Sequence, residues 1–213
     1  MAMKKTLTFR ISRIFGKPIC QILFPLKVQN LQNLPKEGKA IVCCNHISMK
    51  DPIYLSMHSS RMMRYMAKKE LFENKFASMI IRGMGAFPVD RGSAKDSGSI
   101  DYANEILRQG ELLAIFIEGT RSKDGKLGRP KSGAAMLAYN NQAPVVPVCI
   151  TTKFGQQPKM FHKAVINYGN LIPFEDLGIR EGTGAEFRDA SRLIMSRIAD
   201  LRRHDQPIAD ALR

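Results

Sequence analysis

The chain has 213 residues, with 33 Lys and Arg against 19 Asp and Glu, a formal net charge of +14. That length suits one domain with a full core, and 44% hydrophobic against 24% charged residues excludes wholesale disorder. The basic excess asks for an anionic partner (a nucleic acid, an acidic membrane surface or a phosphorylated substrate), and charge does not choose among them.

Leu7 to Leu23 reads at helical period. Leu7, Ile11, Ile14, Phe15, Pro18 and Ile22 fall on one broad face, Arg10, Arg13 and Lys17 gather on another, and Lys4 and Lys5 add charge ahead of them. Such a segment either lies in a membrane interface, its cations among lipid phosphates, or packs its apolar face on the domain. Pro18 is expected to kink or split the helix. Residues 1–25 are taken as this segment and 26–213 as the domain proper. Charges interrupt the N-terminus too often for a signal-peptide core, and no apolar run approaches the roughly 18 residues of a spanning helix.

Beyond Pro25 short apolar runs alternate with helical stretches, which predicts an α/β single domain with a central mixed β-sheet flanked by helices. Strands are expected at Leu26–Leu31, Ala40–Cys44, Met63–Ala67, Ala86–Val89, Leu112–Ile117, Val145–Thr151 and Ala164–Tyr168. Between them, Glu70–Arg82 reads as a helix with Leu71, Phe72, Phe76, Met79 and Ile80 inward. Helices follow at Ile100–Arg108, stopped by Gly110, and at Ser132–Asn140. The last helix starts at a capping box, Thr183 with Glu186, and turns Phe187, Ala190, Ile194, Ile198 and Leu201 inward. Cys20, Cys43, Cys44 and Cys149 form no C-x-x-C pair, which fits reduced thiols better than a disulfide framework. The chain has no Trp and five Tyr, which weakens an aromatic platform for nucleic acid.

Chemistry-bearing residues gather where strands end. In Asn45-His46-Ile47-Ser48-Met49-Lys50-Asp51, His46 leaves a strand and Asp51 opens a helix. With a turn between them, Asp51 accepts from one ring nitrogen and leaves the other as a base. Alone this is weak, since chance gives the spacing in about one such chain in five. Gly85-Ala86-Phe87-Pro88-Val89-Asp90-Arg91 supplies a tight turn and a guanidinium suited to phosphate, or merely a surface arginine. Phe116-Ile117-Glu118-Gly119-Thr120-Arg121-Ser122 packs a carboxylate, a glycine, a hydroxyl and an arginine at a strand end, a ready oxyanion site. Gly119 to Lys126 fails as a phosphate-binding P-loop, because Leu127 stands where Ser or Thr is required. Val146-Pro147-Val148 places a proline inside an apolar strand, which implies an edge or a bulge.

These blocks, in this order, resemble the glycerolipid acyltransferase family, and specifically its 1-acyl-sn-glycerol-3-phosphate (lysophosphatidate) acyltransferases. The matches are N-H-x-S-x-x-D at Asn45–Asp51, G-x-F-x-V-x-R at Gly85–Arg91, F-x-E-G-T-R-S at Phe116–Ser122 and V-P-V at Val146–Val148. Pro88 departs from the family, which often has an aromatic or aliphatic residue there. The resemblance implies His46 as general base, held by Asp51, for direct attack of an acceptor hydroxyl on an acyl thioester. The absence of a G-x-S-x-G elbow agrees with a route that has no acyl-enzyme. It further implies that Lys68, Arg91, Glu118, Gly119, Thr120 and Arg121 hold the glycerophosphate head, and that Pro147, Gly85 and Phe87 lie near the acyl chain or thioester.

By the same resemblance the partners are a lysophospholipid and an acyl-CoA or acyl-carrier-protein donor, with no cofactor and no metal. The protein would then be peripheral to the cytoplasmic face of a cell membrane, docked through Lys4, Lys5, Arg10, Arg13, Phe15, Lys17 and Ile22. The absence of eukaryotic targeting segments and the short length suggest a bacterial enzyme. Another lyso-lipid acceptor is the alternative within this chemistry, and a basic nucleic-acid-binding module the alternative outside it.

Overall fold

The computed structural model describes residues 9, 11, 14, 17–23, 25–89, 97–153 and 161–212. Seven strands, β1 (Leu26–Gln29), β2 (Ala40–Cys44), β3 (Met63–Lys68), β4 (Ala86–Val89), β5 (Leu112–Phe116), β6 (Val145–Thr152) and β7 (Ala164–Tyr168), form one sheet in the order β1-β7-β6-β2-β5-β3-β4. Among the described strand pairs only β6–β7 is antiparallel. The central strands are continuous apolar runs because both faces of a parallel sheet are covered. All five residues of β2 and all eight of β6 are buried.

The α-helices whose bounds lie within the described residues are α1 (Lys17–Leu23), α2 (Asp51–His58), α3 (Lys75–Gly83), α4 (Ser97–Arg108), α5 (Gly133–Asn141) and α6 (Gly184–Ala211). Strand alternation sorts them into two layers. Ala40, Val42 and Cys44 of β2 pack with Tyr54 and Leu55 of α2. Ile41 and Cys43 turn the other way, to Ile106 and Leu107 of α4, Leu137 of α5 and Ile194 and Ile198 of α6. The capping box of α6 is present: Glu186 N–H donates to Thr183 Oγ1 at 3.3 Å, and Thr183 N–H donates to Glu186 Oε2 at 3.0 Å.

β2 and β5 are neighbours with register Cys44↔Phe116. The chain leaves β2 through α2 towards β3, and leaves β5 through α5 towards β6, on the opposite side of β2. Connections that part in this way open a crevice at the carboxyl ends of the two strands.

Two expectations are corrected. The inward face assigned to Glu70–Arg82 points outward: Leu71, Phe76, Met79 and Ile80 are exposed, and only Phe72 is half-buried. The segment is a short 3-10 turn, Lys69–Phe72, followed by α3, and it packs on β4, the last strand of the sheet. Periodicity showed an apolar stripe but not whether anything lies beyond it to cover it. Pro147 sits in an interior strand, so the edge reading fails and the bulge reading holds. Val148 pairs with Tyr168, whereas Val145 bridges Ile172, so the β6–β7 ladder is irregular where the proline has no N–H to donate.

Candidate active site

The crevice between β2 and β5 is furnished by the two loops that leave them. Asn45 ends β2 by locking it to β6: its Nδ2 donates to the Ile150 carbonyl at 3.0 Å and its Oδ1 accepts the Ile150 N–H at 2.8 Å. The chain then turns, and Asp51 opens α2 with its carboxylate aimed back at the turn. Asp51 Oδ2 accepts the Ile47 N–H at 2.7 Å and the Ser48 N–H at 2.8 Å, and lies 2.8 Å from His46 Nδ1. An oxygen that already accepts two N–H groups acts as a carboxylate acceptor, so Nδ1 is the donor and Nε2 carries the lone pair. Asp51 is fully buried, and its other oxygen has no partner among the described residues.

The imidazole stacks on the Phe116 ring, with centroids 4.0 Å apart and planes 17° from parallel. Hydrogen bond and stack together leave the ring one orientation. Among the described residues Nε2 has no protein partner, and an imidazole nitrogen so placed can act as a base.

The β5 loop braces the β2 loop. Glu118 Oε1 accepts the His46 main-chain N–H at 3.0 Å, and Oε2 accepts the Gly128 N–H at 2.7 Å. Ser122 N–H donates to the His46 carbonyl at 2.8 Å, so both main-chain groups of His46 are held by this loop. Gly119 turns at φ +73, beside Lys131, whose Cγ would stand 3.2 Å from a Cβ at that position. The expected head-group residues thus divide. Glu118 and Gly119 build the loop, Thr120 and Arg121 are exposed upon it, and Lys68 is exposed at the carboxyl end of β3. Arg91 lies outside the described residues.

The remaining expected site residues are placed as follows. Gly85, at φ +103, makes the turn into the amino end of β4, where a Cβ would lie 2.2 Å from the Met63 carbonyl oxygen. That is the opposite sheet edge from His46, and the close approach accounts for the glycine. Phe87 is buried edge-on to Tyr102 at 4.8 Å, lining a cleft of about 520 Å³ with Arg64 and Arg82. Pro147 pairs with Cys43 in the middle of the sheet and contributes to a separate cleft with Gly169, Leu193 and Leu201. Ile22 is exposed, as are Ile11 and Ile14, whereas Phe9 is buried. Lys4, Lys5, Arg10, Arg13 and Phe15 lie outside the described residues, as does the side chain of Lys17.

Burial pushes the thiols of Cys43 and Cys149 up to about 12, and that of Cys44, aided by the nearby Asp51 charge, well above the ordinary range. None of these three is a thiolate nucleophile at neutral pH. Among the described residues no group of three His, Cys, Asp or Glu is placed to hold a metal ion. No helix of the described chain is long and apolar enough to cross a membrane. Sequence reasoning missed the locking role of Asn45, the Phe116 stack and the contributions of Gly128 and Lys131. Asn45 and Phe116 stood inside the quoted motifs, where a signal was available.

A parallel sheet with an Asp-held histidine at its switch point defines a class, and comparison with known proteins gives that class its family. The family described as Acyltransferase matches residues 25–151, and the chain belongs to it. The chain is 38% identical over 133 residues to the 1-acyl-sn-glycerol-3-phosphate acyltransferase of Bacillus subtilis, covering 62% of this chain and 65% of that one. It is 28% identical over 163 residues to the chloroplastic 1-acyl-sn-glycerol-3-phosphate acyltransferase LPAT1 of Arabidopsis thaliana, covering 76% and 45%. The chain therefore spans between about half and two thirds of the length of these curated relatives. Its fold is that of the crystal structure of the 1-acyl-sn-glycerophosphate acyltransferase PlsC from Thermotoga maritima, with a TM-score of 0.72 at 23% identity over 92% of this chain and 79% of that one.

Proposed function

We propose that the protein transfers a fatty acyl group from an acyl thioester, acyl-CoA or acyl-carrier protein, to the free sn-2 hydroxyl of 1-acyl-glycerol-3-phosphate, giving phosphatidic acid. The observation that carries this is the 2.8 Å His46 Nδ1–Asp51 Oδ2 contact at the switch point, with no partner on Nε2 among the described residues. The names printed for the relatives support the acceptor.

Nε2 takes the hydroxyl proton as the oxygen attacks the thioester carbonyl carbon. The tetrahedral intermediate then expels the thiolate by breaking the C–S bond, and the imidazolium returns its proton to that sulfur. Asp51 stabilises the transient imidazolium without taking its proton. The carboxylate of Glu118 does not grip phosphate in this reading, because its oxygens are committed to main-chain N–H groups and like charges repel. Lys68, Arg91, Thr120 and Arg121 are the head-group contacts. The exposed Ile11, Ile14 and Ile22, beside a basic N-terminal sequence, support work at an anionic membrane surface, the cytoplasmic face of the cell membrane in this reading, without a span.

The test is transfer by wild type and His46→Ala with matched acyl-CoA and acyl-carrier-protein donors and a panel of lyso-acceptors. Lysophosphatidate is expected to lead the panel, and His46→Ala to lose turnover while melting like wild type. Full activity in folded His46→Ala removes the mechanism, and preference for a lyso-lipid without a phosphomonoester removes the acceptor.

A further inference from the structure

We infer that α3 and the 3-10 turn before it form a second docking surface for an anionic lipid leaflet, distinct from the N-terminal segment. The inference rests on the membrane-surface reading above and assigns it a further place in the fold. Phe76 is 69% exposed, Met79 59%, Leu71 42% and Ile80 37%. Positions 76, 79 and 80 lie at the i, i+3, i+4 spacing, so three large apolar side chains share one helical face turned away from the sheet. A soluble protein gains nothing by presenting that stripe to water, and contiguous exposed apolar surface marks a contact.

The charge around the stripe identifies the partner. Over Lys68 to Arg82 there are four cations, Lys68, Lys69, Lys75 and Arg82, against Glu70 and Glu73. All four cations are exposed. The Arg82 guanidinium lies 4.8 Å over the Phe72 ring, which fixes one of them beside the apolar patch. An apolar stripe bordered by long cationic side chains matches a bilayer interface, where apolar groups enter the acyl boundary and ammonium heads stay among phosphates. The same cations oppose a second copy of this chain, because two such faces brought together would juxtapose like charges.

Position supports the assignment. Lys68 closes β3 at the carboxyl edge of the sheet, the edge where β2 releases His46 and β5 releases Glu118. The chain runs directly from Lys68 through the 3-10 turn into α3. A leaflet held at the start of α3 therefore meets the carboxyl edge of the sheet, the edge that carries His46.

The chain contains no tryptophan, so Phe76→Trp, excited selectively over the tyrosines, introduces a single tryptophan on the exposed stripe. Full-length protein is mixed with vesicles of phosphatidylcholine alone or with added phosphatidylglycerol. The Phe76→Trp emission is expected to move to the blue only with the anionic vesicles, and to be quenched by bromines placed in their acyl chains. The Phe76→Glu/Met79→Glu variant is expected to sediment with anionic vesicles about tenfold more weakly than wild type. Its thermal melt, and its transfer to a short-chain, freely soluble lysophosphatidate, should match wild type. Wild-type sedimentation with a water-like, unquenched Phe76→Trp emission overturns the α3 surface alone. A blue shift that follows protein concentration without vesicles makes a second copy the occupant and also overturns it. Failure of wild type to bind any vesicle removes the membrane reading itself, and the α3 surface with it. Loss of soluble-substrate transfer in the double variant shows the stripe to be part of the catalytic domain's integrity rather than a docking surface.

Discussion

Glu118 holds His46 by its main chain: Oε1 accepts the His46 N–H at 3.0 Å, while Oε2 reaches Gly128 at 2.7 Å. The side chain is buried and both of its hydrogen bonds are partly buried, so each N–H it satisfies would otherwise have less access to water than at the open surface. The F-x-E-G-T-R-S carboxylate is thus a strut between the loops that follow β5 and β2, and the position of the His46 ring depends on it.

Glu118→Gln tests this. The amide keeps one acceptor oxygen but turns an NH₂ towards the other N–H, so one partly buried donor loses its partner. The expected loss is about 1–3 kcal/mol in urea melts. Turnover should fall at every acceptor concentration, with KM for the lyso-acceptor changing little. A selective rise in KM with full stability would instead make Glu118 a head-group residue.

Asp51→Asn separates holding the ring from choosing its tautomer. The Asn oxygen can still accept from Ile47 and Ser48, but His46 is no longer bound to donate through Nδ1. Turnover is expected to fall by about 10²–10⁴-fold with the fold intact. Unchanged turnover in a folded Asp51→Asn protein would remove the pairing from the mechanism.

The strands were legible because parallel strands are short, continuous apolar runs bounded by turn residues. β2, β4 and β7 fall on the expected residues, β3, β5 and β6 differ by a residue at one end, and β1 ends two residues early. The His46–Asp51 pair was legible as well, since a five-residue spacing needs a turn and Asp51 supplies that turn by accepting two main-chain N–H groups. Three things were not. The outward stripe of α3 has the same periodicity as an inward one, and only the end of the sheet at β4 decides between them. Glu118 carries a charge that suggested electrostatic work, whereas hydrogen bonds to Gly128 and His46, ten and 72 positions away in sequence, use it up. Gly85 stands in a motif beside Arg91, yet its own constraint is steric and lies at the opposite edge.

That constraint is sharp. At φ +103 an L side chain is strained, and a Cβ would meet the Met63 carbonyl oxygen, a backbone atom in β3 that cannot step aside. Gly85→Ala is expected to cost several kcal/mol, about 3 or more, seen as a lowered urea midpoint. If the variant stays folded at low temperature, its KM values should remain near wild type. A specific change in acyl-chain preference without loss of stability would restore Gly85 to the acyl site.

The buried thiols test the absence of an acyl-enzyme. Cys44 stands two residues before His46, close enough in sequence to suggest a Cys–His nucleophile, yet it is fully buried and its thiol is held neutral. Cys44→Ala is therefore expected to retain turnover, with a stability cost of about 1–2 kcal/mol from the small cavity. Loss of turnover in a folded Cys44→Ala protein would reopen a covalent route. The same burial sets a pH dependence whose sign is fixed. Cys149 titrates near 9.0 when unfolded and near 12 when folded, so between these values the unfolded chain binds fewer protons. The stabilisation is complete below about pH 9 and is lost as pH rises towards 12, by about 1.4 kcal/mol per pH unit for each such thiol. Urea melts between pH 8 and 11 should show Cys149→Ala declining less steeply than wild type by about that slope, and equal slopes would mean that burial does not hold the proton on this sulfur.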